Sequence, residues 1–258
     1  MSAAESLLDA IQNEARQGEL VAVVRVLRQV RNQTTTVRVL DGEIFPPIDD
    51  RELTDQIVRA VQSLTVRGGN ADLIEAVDGK GSRVRLAVEI VRPKLELVIF
   101  GAGHVGQAVA LIGAFTGYHV TVIDDREEFA SRARFRDPRI NVVVSDYASA
   151  AEKATISTNT AVAIVTRGHQ YDELCLKNVI RSNAAYIGMI GSRRRVLSVF
   201  KKLASEGISE QDLKRVHAPI GLRIGARSPQ EIAVSILAEI INHMNNPEIE
   251  GEGKRNGI

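Results

Sequence analysis

From Leu95 onward the chain repeats one pattern, and no other feature restricts its fold as much. Short apolar runs at Leu95–Phe100, Val120–Ile123, Ile140–Val144, Ala161–Val165 and Ala185–Ile190 alternate with helical stretches. Runs of this length suit strands covered on both faces. Their alternation with helices predicts a parallel sheet joined by crossover helices. The first helical stretch carries Val105, Ala108, Val109, Ile112 and Phe115, which read as one apolar stripe. The last opens with Ser228, Pro229 and Glu231, a capping box with proline at the first helical position. Its expected buried face is Ile232, Ile236, Leu237, Ile240 and Ile241.

Between the first strand and the first helix lies Gly101-Ala102-Gly103-His104-Val105-Gly106. In the spacing G-x-G-x-x-G, the first glycine allows a tight turn. The second lets backbone approach a pyrophosphate, and the third lets helix pack on strand. The helix N-terminus adds open N–H groups and partial positive charge. The next strand ends in Asp124-Asp125-Arg126, with Asp124 at the distance expected of an acid that accepts from a ribose diol. That acid argues for an unphosphorylated ribose, while Arg126 leaves room for a 2′-phosphate. The plainer alternative is that the glycines serve only a βα turn and Asp124 caps the following helix.

Ligands of open α/β sheets bind beyond the carboxyl ends of the strands. Thr166-Arg167-Gly168-His169-Gln170-Tyr171-Asp172 falls there. His169 and Asp172 are the candidates for a base and its orienter. No nucleophile accompanies them, and Asp172 reads equally as the cap of a helix over 173–182, with His169 in a surface loop. Ligand contact is the stronger expectation for Thr166, Arg167, Gly168 and His169. Gly191-Ser192-Arg193-Arg194-Arg195 follows the fifth strand. Ser192 is a good cap, but three arginines in a first turn oppose the helix dipole. That invites a compensating anion such as a phosphate, or acids from elsewhere in the fold. Pro219-Ile220-Gly221 through Arg227 is a third anion-friendly loop, or a plain connection.

The segment before Pro93 reads as a smaller α+β domain. Leu20–Val30 and Thr34–Leu40 are expected strands, followed by an Asp41-Gly42 turn. A helix is expected over Ile48–Leu64, and Val84–Val91 alternates as a strand does. A short helix is expected over 5–16 and a mobile polar tail over 246–258. The boundaries expected are 1–93, 94–245 and 246–258. The 258 residues carry a net charge of +1, which gives no case for nucleic acid or an anionic membrane as partner. The single cysteine, Cys175, excludes an intramolecular disulfide and a multi-cysteine metal site, so no metal site is expected. It sits beside Leu176, Val179 and Ile180 and reads as core packing. The first residues, with Glu5, Asp9, Glu14 and Glu19, do not read as a signal peptide, and a cytoplasmic location is expected.

Jointly, several segments resemble the XdhC/CoxI family, accessory factors of xanthine dehydrogenase and related molybdenum hydroxylases. They are Leu97–Val105, Val122–Arg126, Ala133-Arg134-Phe135, Thr166–His169, Tyr186–Ser192 and His217–Leu222. The resemblance implies a small N-terminal domain before a Rossmann domain, and a role in maturing a molybdoenzyme. It implies that the molybdenum cofactor is bound, protected and delivered to the hydroxylase apoenzyme, with a cysteine desulfurase as a further partner, and it implies a homodimer. Such proteins usually carry a Gly-Gly-Cys-x-Glu-like motif after the first strand pair. Here Phe45-Pro46-Pro47-Ile48-Asp49-Asp50-Arg51-Glu52 stands in that place, with no cysteine, and Asp78–Ser82 lacks a second one. A thiolate suits molybdenum or sulfur transfer, so chemistry that depends on those cysteines is closed to this chain alone.

Three functions are therefore open at the level of sequence. The first is a maturation factor that binds NAD(P), a related dinucleotide, or the molybdenum cofactor itself. The second is an NAD(P)-dependent oxidoreductase, though hydride transfer needs a substrate pocket that the sequence does not show. The third is a nucleotide-sensing regulatory module.

Overall fold

The structure, a computed structural model, describes Ile11 and residues 20–28, 34–92 and 94–245. The helix expected over 5–16, Ile11 apart, and the tail after Asn246 lie outside the described residues. The chain divides into two compact units, Met1–Lys94 and Leu95–Ile258.

The first unit is an antiparallel sheet with one helix. Strands β1 (Val21–Arg28), β2 (Thr34–Leu40), β3 (Glu43–Phe45), β4 (Ala71–Val77) and β5 (Arg83–Val91) stand in the order β3-β2-β1-β5-β4. Asp41 and Gly42 both have positive φ, 48° and 84°, which is the type I′ geometry that joins β2 to β3 by two residues. Helix α1 spans Arg51–Val66, not Ile48–Leu64. Asp50 sets its start by accepting from the Leu53 N–H at 3.0 Å. Leu53, Ile57, Val61 and Leu64 then pack on Val24, Val37, Leu86 and Val88. Val84, Leu86, Val88 and Ile90 of β5 all turn inward, as their alternation predicts.

The second unit is a six-stranded parallel sheet. Its strands are β6 (Glu96–Phe100), β7 (His119–Asp124), β8 (Ile140–Val144), β9 (Thr160–Ile164), β10 (Tyr186–Met189) and β11 (Val216–His217), in the order β11-β10-β9-β6-β7-β8. Every pairing is parallel. The order reverses between β6 and β9, which makes their carboxyl ends the switch point of the sheet. Helices α2 (His104–Phe115) and α6 (Pro229–Asn245) cover one face; α3 (His169–Val179), α4 (Arg193–Ser205) and α5 (Glu210–Lys214) cover the other. The edge strand β8 is only partly covered, unlike the inner strands β6 and β9.

The stripe expected on α2 packs on the core through Val105, Ala108, Val109 and Ile112, but not through Phe115. Phe115 is 84% exposed, and the small residues Gly106, Ala110, Gly113 and Ala114 join Ala108 and Val109 on the inward face. Close approach of the helix decides this. A Cβ at Gly113 would lie 2.7 Å from Leu97, so small residues must form the contact. The last helix does carry the expected capping box: Glu231 N–H donates to Ser228 Oγ, and Ser228 N–H donates to Glu231 Oε2.

Candidate functional site

The glycine loop leaves β6 at the switch point. Gly101 has φ 112°, and an added Cβ there would lie 2.5 Å from the Val165 carbonyl oxygen. A Cβ at Gly106 would lie 1.8 Å from the Gly101 carbonyl oxygen. Both glycines are demanded by the fold itself. Gly103 is different. Its φ of −65° suits any residue, and a Cβ there meets nothing within 4 Å. It is the cap residue of α2 and offers no side-chain acceptor. The N–H groups of His104, Val105 and Gly106, in the first turn, therefore receive no side-chain acceptor from the cap.

Two groups brace this loop. Asp124, at the end of β7, is fully buried. Its Oδ2 accepts from the Ala102 N–H at 2.7 Å, and its Oδ1 accepts from the Arg126 N–H and Nε. Burial alone would raise the Asp124 carboxyl. The Arg126 guanidinium and the N–H groups of Ala102 and Arg126 outweigh it and hold the group below the usual carboxylate range. Arg134 braces the other side, donating to the Ala102 carbonyl at 2.8 Å and to Gln107 Oε1 at 2.8 Å. Phe129 lies between the two cations, 3.6 Å from Arg126 and 4.8 Å from Arg134. Motif spacing alone does not single out Arg134; its only signal is the Ala-Arg-Phe triplet.

Asp125 and Arg167 are brought together. Arg167 donates to both oxygens of Asp125, at 2.9 and 2.8 Å, and its guanidinium lies 4.8 Å from the Tyr171 ring. Tyr147 packs against Tyr171 with ring centroids 5.2 Å apart. Burial, then the charges of Asp124 and Asp125, raises the Tyr147 pKa.

Helix α3 starts at His169 with Gly168 as its cap, so Asp172 lies inside the first turn rather than capping a helix over 173–182. The side chain of His169 lies outside the described residues. Asp172 is fully buried, and its two oxygens are taken by Thr166 Oγ1 at 2.5 Å and by Arg195. Burial pushes its pKa up to about 6, against the pull of Thr166 and Arg195. Asp172 thereby ties α3 to α4, and Arg195 has found an acid of the fold. Ser192 caps α4 by accepting from the Arg195 N–H. A cleft of about 600 Å³ runs between α3 and α4, lined by Gln170, Ser192, Arg194, Arg195 and Lys202. Arg193, the arginine expected at a ligand, is not among its lining residues. Gly191 is the bend from β10 into this corner, with φ 154°.

The third loop is anchored from below. Glu239 accepts from Tyr186 Oη at 3.0 Å and from the Gly221 N–H, and His217 Nδ1 lies 3.5 Å from it. Burial opposes its charge, but His217, Gly221 and Tyr186 hold its pKa low. Cys175 is fully buried, and burial followed by the Asp172 charge raises its thiol pKa. Among the described residues no three His, Cys, Asp or Glu side chains are grouped to hold a metal ion. No helix among them is long and apolar enough to cross a membrane.

Comparison with known proteins gives the following. A family model described as the XdhC Rossmann domain matches residues 97–240. The chain is 31% identical to YqeB of Escherichia coli over 217 residues, 80% of this chain and 39% of that protein. It is 30% identical to a probable xanthine dehydrogenase subunit of Bacillus subtilis, over 60% of this chain and 44% of that protein. It is 28% identical to the molybdenum cofactor insertion chaperone PaoD of Escherichia coli, over 58% of this chain and 40% of that protein. The chain spans less than half the length of each of these relatives. In fold, it superposes with a TM-score of 0.64 on the crystal structure of a xanthine dehydrogenase from Bacillus halodurans, over 94% of this chain and 66% of that one, at 22% identity.

Proposed function

The chain belongs to the XdhC family, and from that premise we propose that it is an accessory factor for maturation of a molybdenum hydroxylase. On this reading it holds a phosphate-bearing cofactor, a dinucleotide or the phosphate-bearing part of the molybdenum cofactor, at the carboxyl edge of its parallel sheet. One observation carries the proposal. Gly103 is a glycine that nothing within the protein requires, at the mouth of a helix whose first N–H groups have no side-chain cap. A side chain there would project into the space that a phosphate enters.

The residues fit the two parts of such a ligand unequally. The uncapped N–H groups of His104 and Val105 suit a phosphate, with Arg167 and the α4 corner of Gly191, Ser192 and Arg193 at the same edge. A thiolate of the protein would be a natural ligand for molybdenum or carrier of its sulfur. The chain has one thiol, Cys175, and it is sealed on the buried face of α3. The protein thus grips the organic part of the cofactor and supplies no sulfur ligand of its own. Sulfur for the metal then comes from a cysteine desulfurase, and the hydroxylase apoenzyme is the recipient. The names of the Bacillus subtilis relative and of PaoD support the hydroxylase as partner.

The test is to isolate the protein from its native cells and assay the bound fraction for oxidised pterin fluorescence and for nucleotide. A co-purifying phosphate-bearing cofactor, lost in Gly103→Asp, is the expected result. Empty protein, together with full hydroxylase activity in a deletion strain, removes the proposal.

A further inference from the structure

In a cleft of this kind, the ribose is read by whichever carboxylate is free to accept from its diol. Asp124 stands at the expected distance along the sequence but is not free. It is fully buried, and both oxygens are bonded to Ala102 and Arg126. A ribose hydroxyl could reach it only by undoing the bond that fixes the glycine loop. Asp125 is the next acid on the same edge, and its side chain is 25% exposed.

Arg167 donates to both oxygens of Asp125 and also to Tyr171 Oη at 3.1 Å, and Arg126 Nε lies 3.9 Å from one Asp125 oxygen. Asp125 and Arg167 follow β7 and β9, the strands on either side of β6. Their side chains close a gap of two strand spacings, about 10 Å, across the end of β6 where the glycine loop begins. Arg126, the cation that could have met a 2′-phosphate, is bonded through Nε and a terminal nitrogen to Asp124 and stacked on Phe129.

We propose that Asp125 is the ribose-reading acid of this cleft, and that Arg167 is a latch which holds it until a nucleotide with an unphosphorylated ribose displaces the guanidinium. The proposal rests on the nucleotide-binding reading above and makes it more specific. A solvent-facing ion pair is cheap to open. A diol replaces it with two hydrogen bonds to a charged acceptor, which are stronger than neutral ones. The released Arg167 remains beside the end of β6, where it can meet the pyrophosphate. A 2′-phosphate would instead bring its charge against Asp125, which selects against it.

The test is calorimetric titration of NAD, NADP and adenosine into the full chain, Asp125→Asn and Arg167→Gln. The full chain should bind NAD about tenfold more tightly than NADP, and Asp125→Asn should lose about tenfold in NAD affinity and narrow that preference. Arg167→Gln should bind adenosine, which has the diol but no phosphate, about threefold more tightly than the unmodified chain. A general loss of structure would lower affinity in both variants, so a gain in one and a loss in the other separates the latch from misfolding. NAD binding that Asp125→Asn leaves unchanged, NADP bound as tightly as NAD, or no adenosine gain in Arg167→Gln overturns the proposal and leaves the nucleotide reading in place. No binding of any of the three ligands to any of the three proteins removes both.

Discussion

A Cβ at Gly106 would sit 1.8 Å from a backbone oxygen, whereas one at Gly103 would meet nothing within 4 Å. The same motif therefore contains glycines kept for different reasons, and two variants separate them. Gly106→Ala should destabilise the protein by about 2–3 kcal/mol through overpacking. Gly103→Ser should leave stability unchanged or slightly raised, because serine is a better cap than glycine, while ligand binding falls. Chemical denaturation and titration on both variants check this; an unstable Gly103→Ser that still binds ligand would contradict it. Asp172 gives a second residue-scale prediction. Its folded pKa, about 6, lies above the 3.8 of an unperturbed aspartate. The native state therefore holds this proton more tightly than the unfolded chain does. The stabilisation is full below about pH 4 and is lost as pH rises through 6, a change on the order of 3 kcal/mol. Asp172→Asn should flatten the stability profile between those values. A profile as steep in the variant as in the unmodified chain would show that another group titrates. The glycine spacing and the acid at the end of β7 are legible in the sequence because both are positions along the chain. The inward turn of Asp124, and the pairing of Asp125 with Arg167 across 42 residues, are not. Those depend on strand order, which spacing does not encode.

Elements are legible where burial leaves a plain pattern, a continuous apolar run in the inner parallel strands or an alternation where one face alone is buried. Strand β5 alternates cleanly, exposed and buried, and its apolar residues are the buried ones. Strand β4 has one buried residue, Ala76, and acidic Asp72 and Glu75 along its length, so no alternation marks it. Strands β3 and β11 have three and two residues, too short for any period. At α2 only Phe115 is misassigned to the buried face, for a different reason. Hydropathy weights Phe115 above Gly113 and Ala110, but a helix lying close on a sheet selects for small size. Local chemistry carries more information at α6, where Ser228 and Glu231 satisfy each other's backbone donors. Ser228→Ala should cost about 1 kcal/mol in urea denaturation with the m-value unchanged. A cost near zero would mean that Glu231 alone, which also accepts from the Arg227 N–H at 2.7 Å, holds the start of the helix.

At the scale of the whole molecule, each hydrophobic cluster of the described residues draws on one unit. The core of the first draws on residues from Leu20 to Ile90. The two cores that flank the parallel sheet draw on residues from Leu95 to Met244. Every strand that pairs with β6 also lies in the second unit, so its ladder of backbone bonds is complete there. The loop, both of its braces and the Asp125–Arg167 pair come from the same stretch. A fragment covering residues 95–245 falls in the usual size range of a single domain, roughly 100–150 residues. We expect it to unfold in one cooperative transition and to bind the same ligand as the full chain, with affinity within about threefold, because the clusters and site bonds given above for the described residues lie within it. Differential scanning calorimetry and titration of the fragment check this. A broad, non-cooperative transition would mean that the parallel sheet depends on the preceding unit for stability. Cooperative unfolding without ligand binding would place an essential part of the cleft in residues before Leu95, and the reading of Gly101–Gly106, Asp125 and Arg167 as a self-sufficient site would fall.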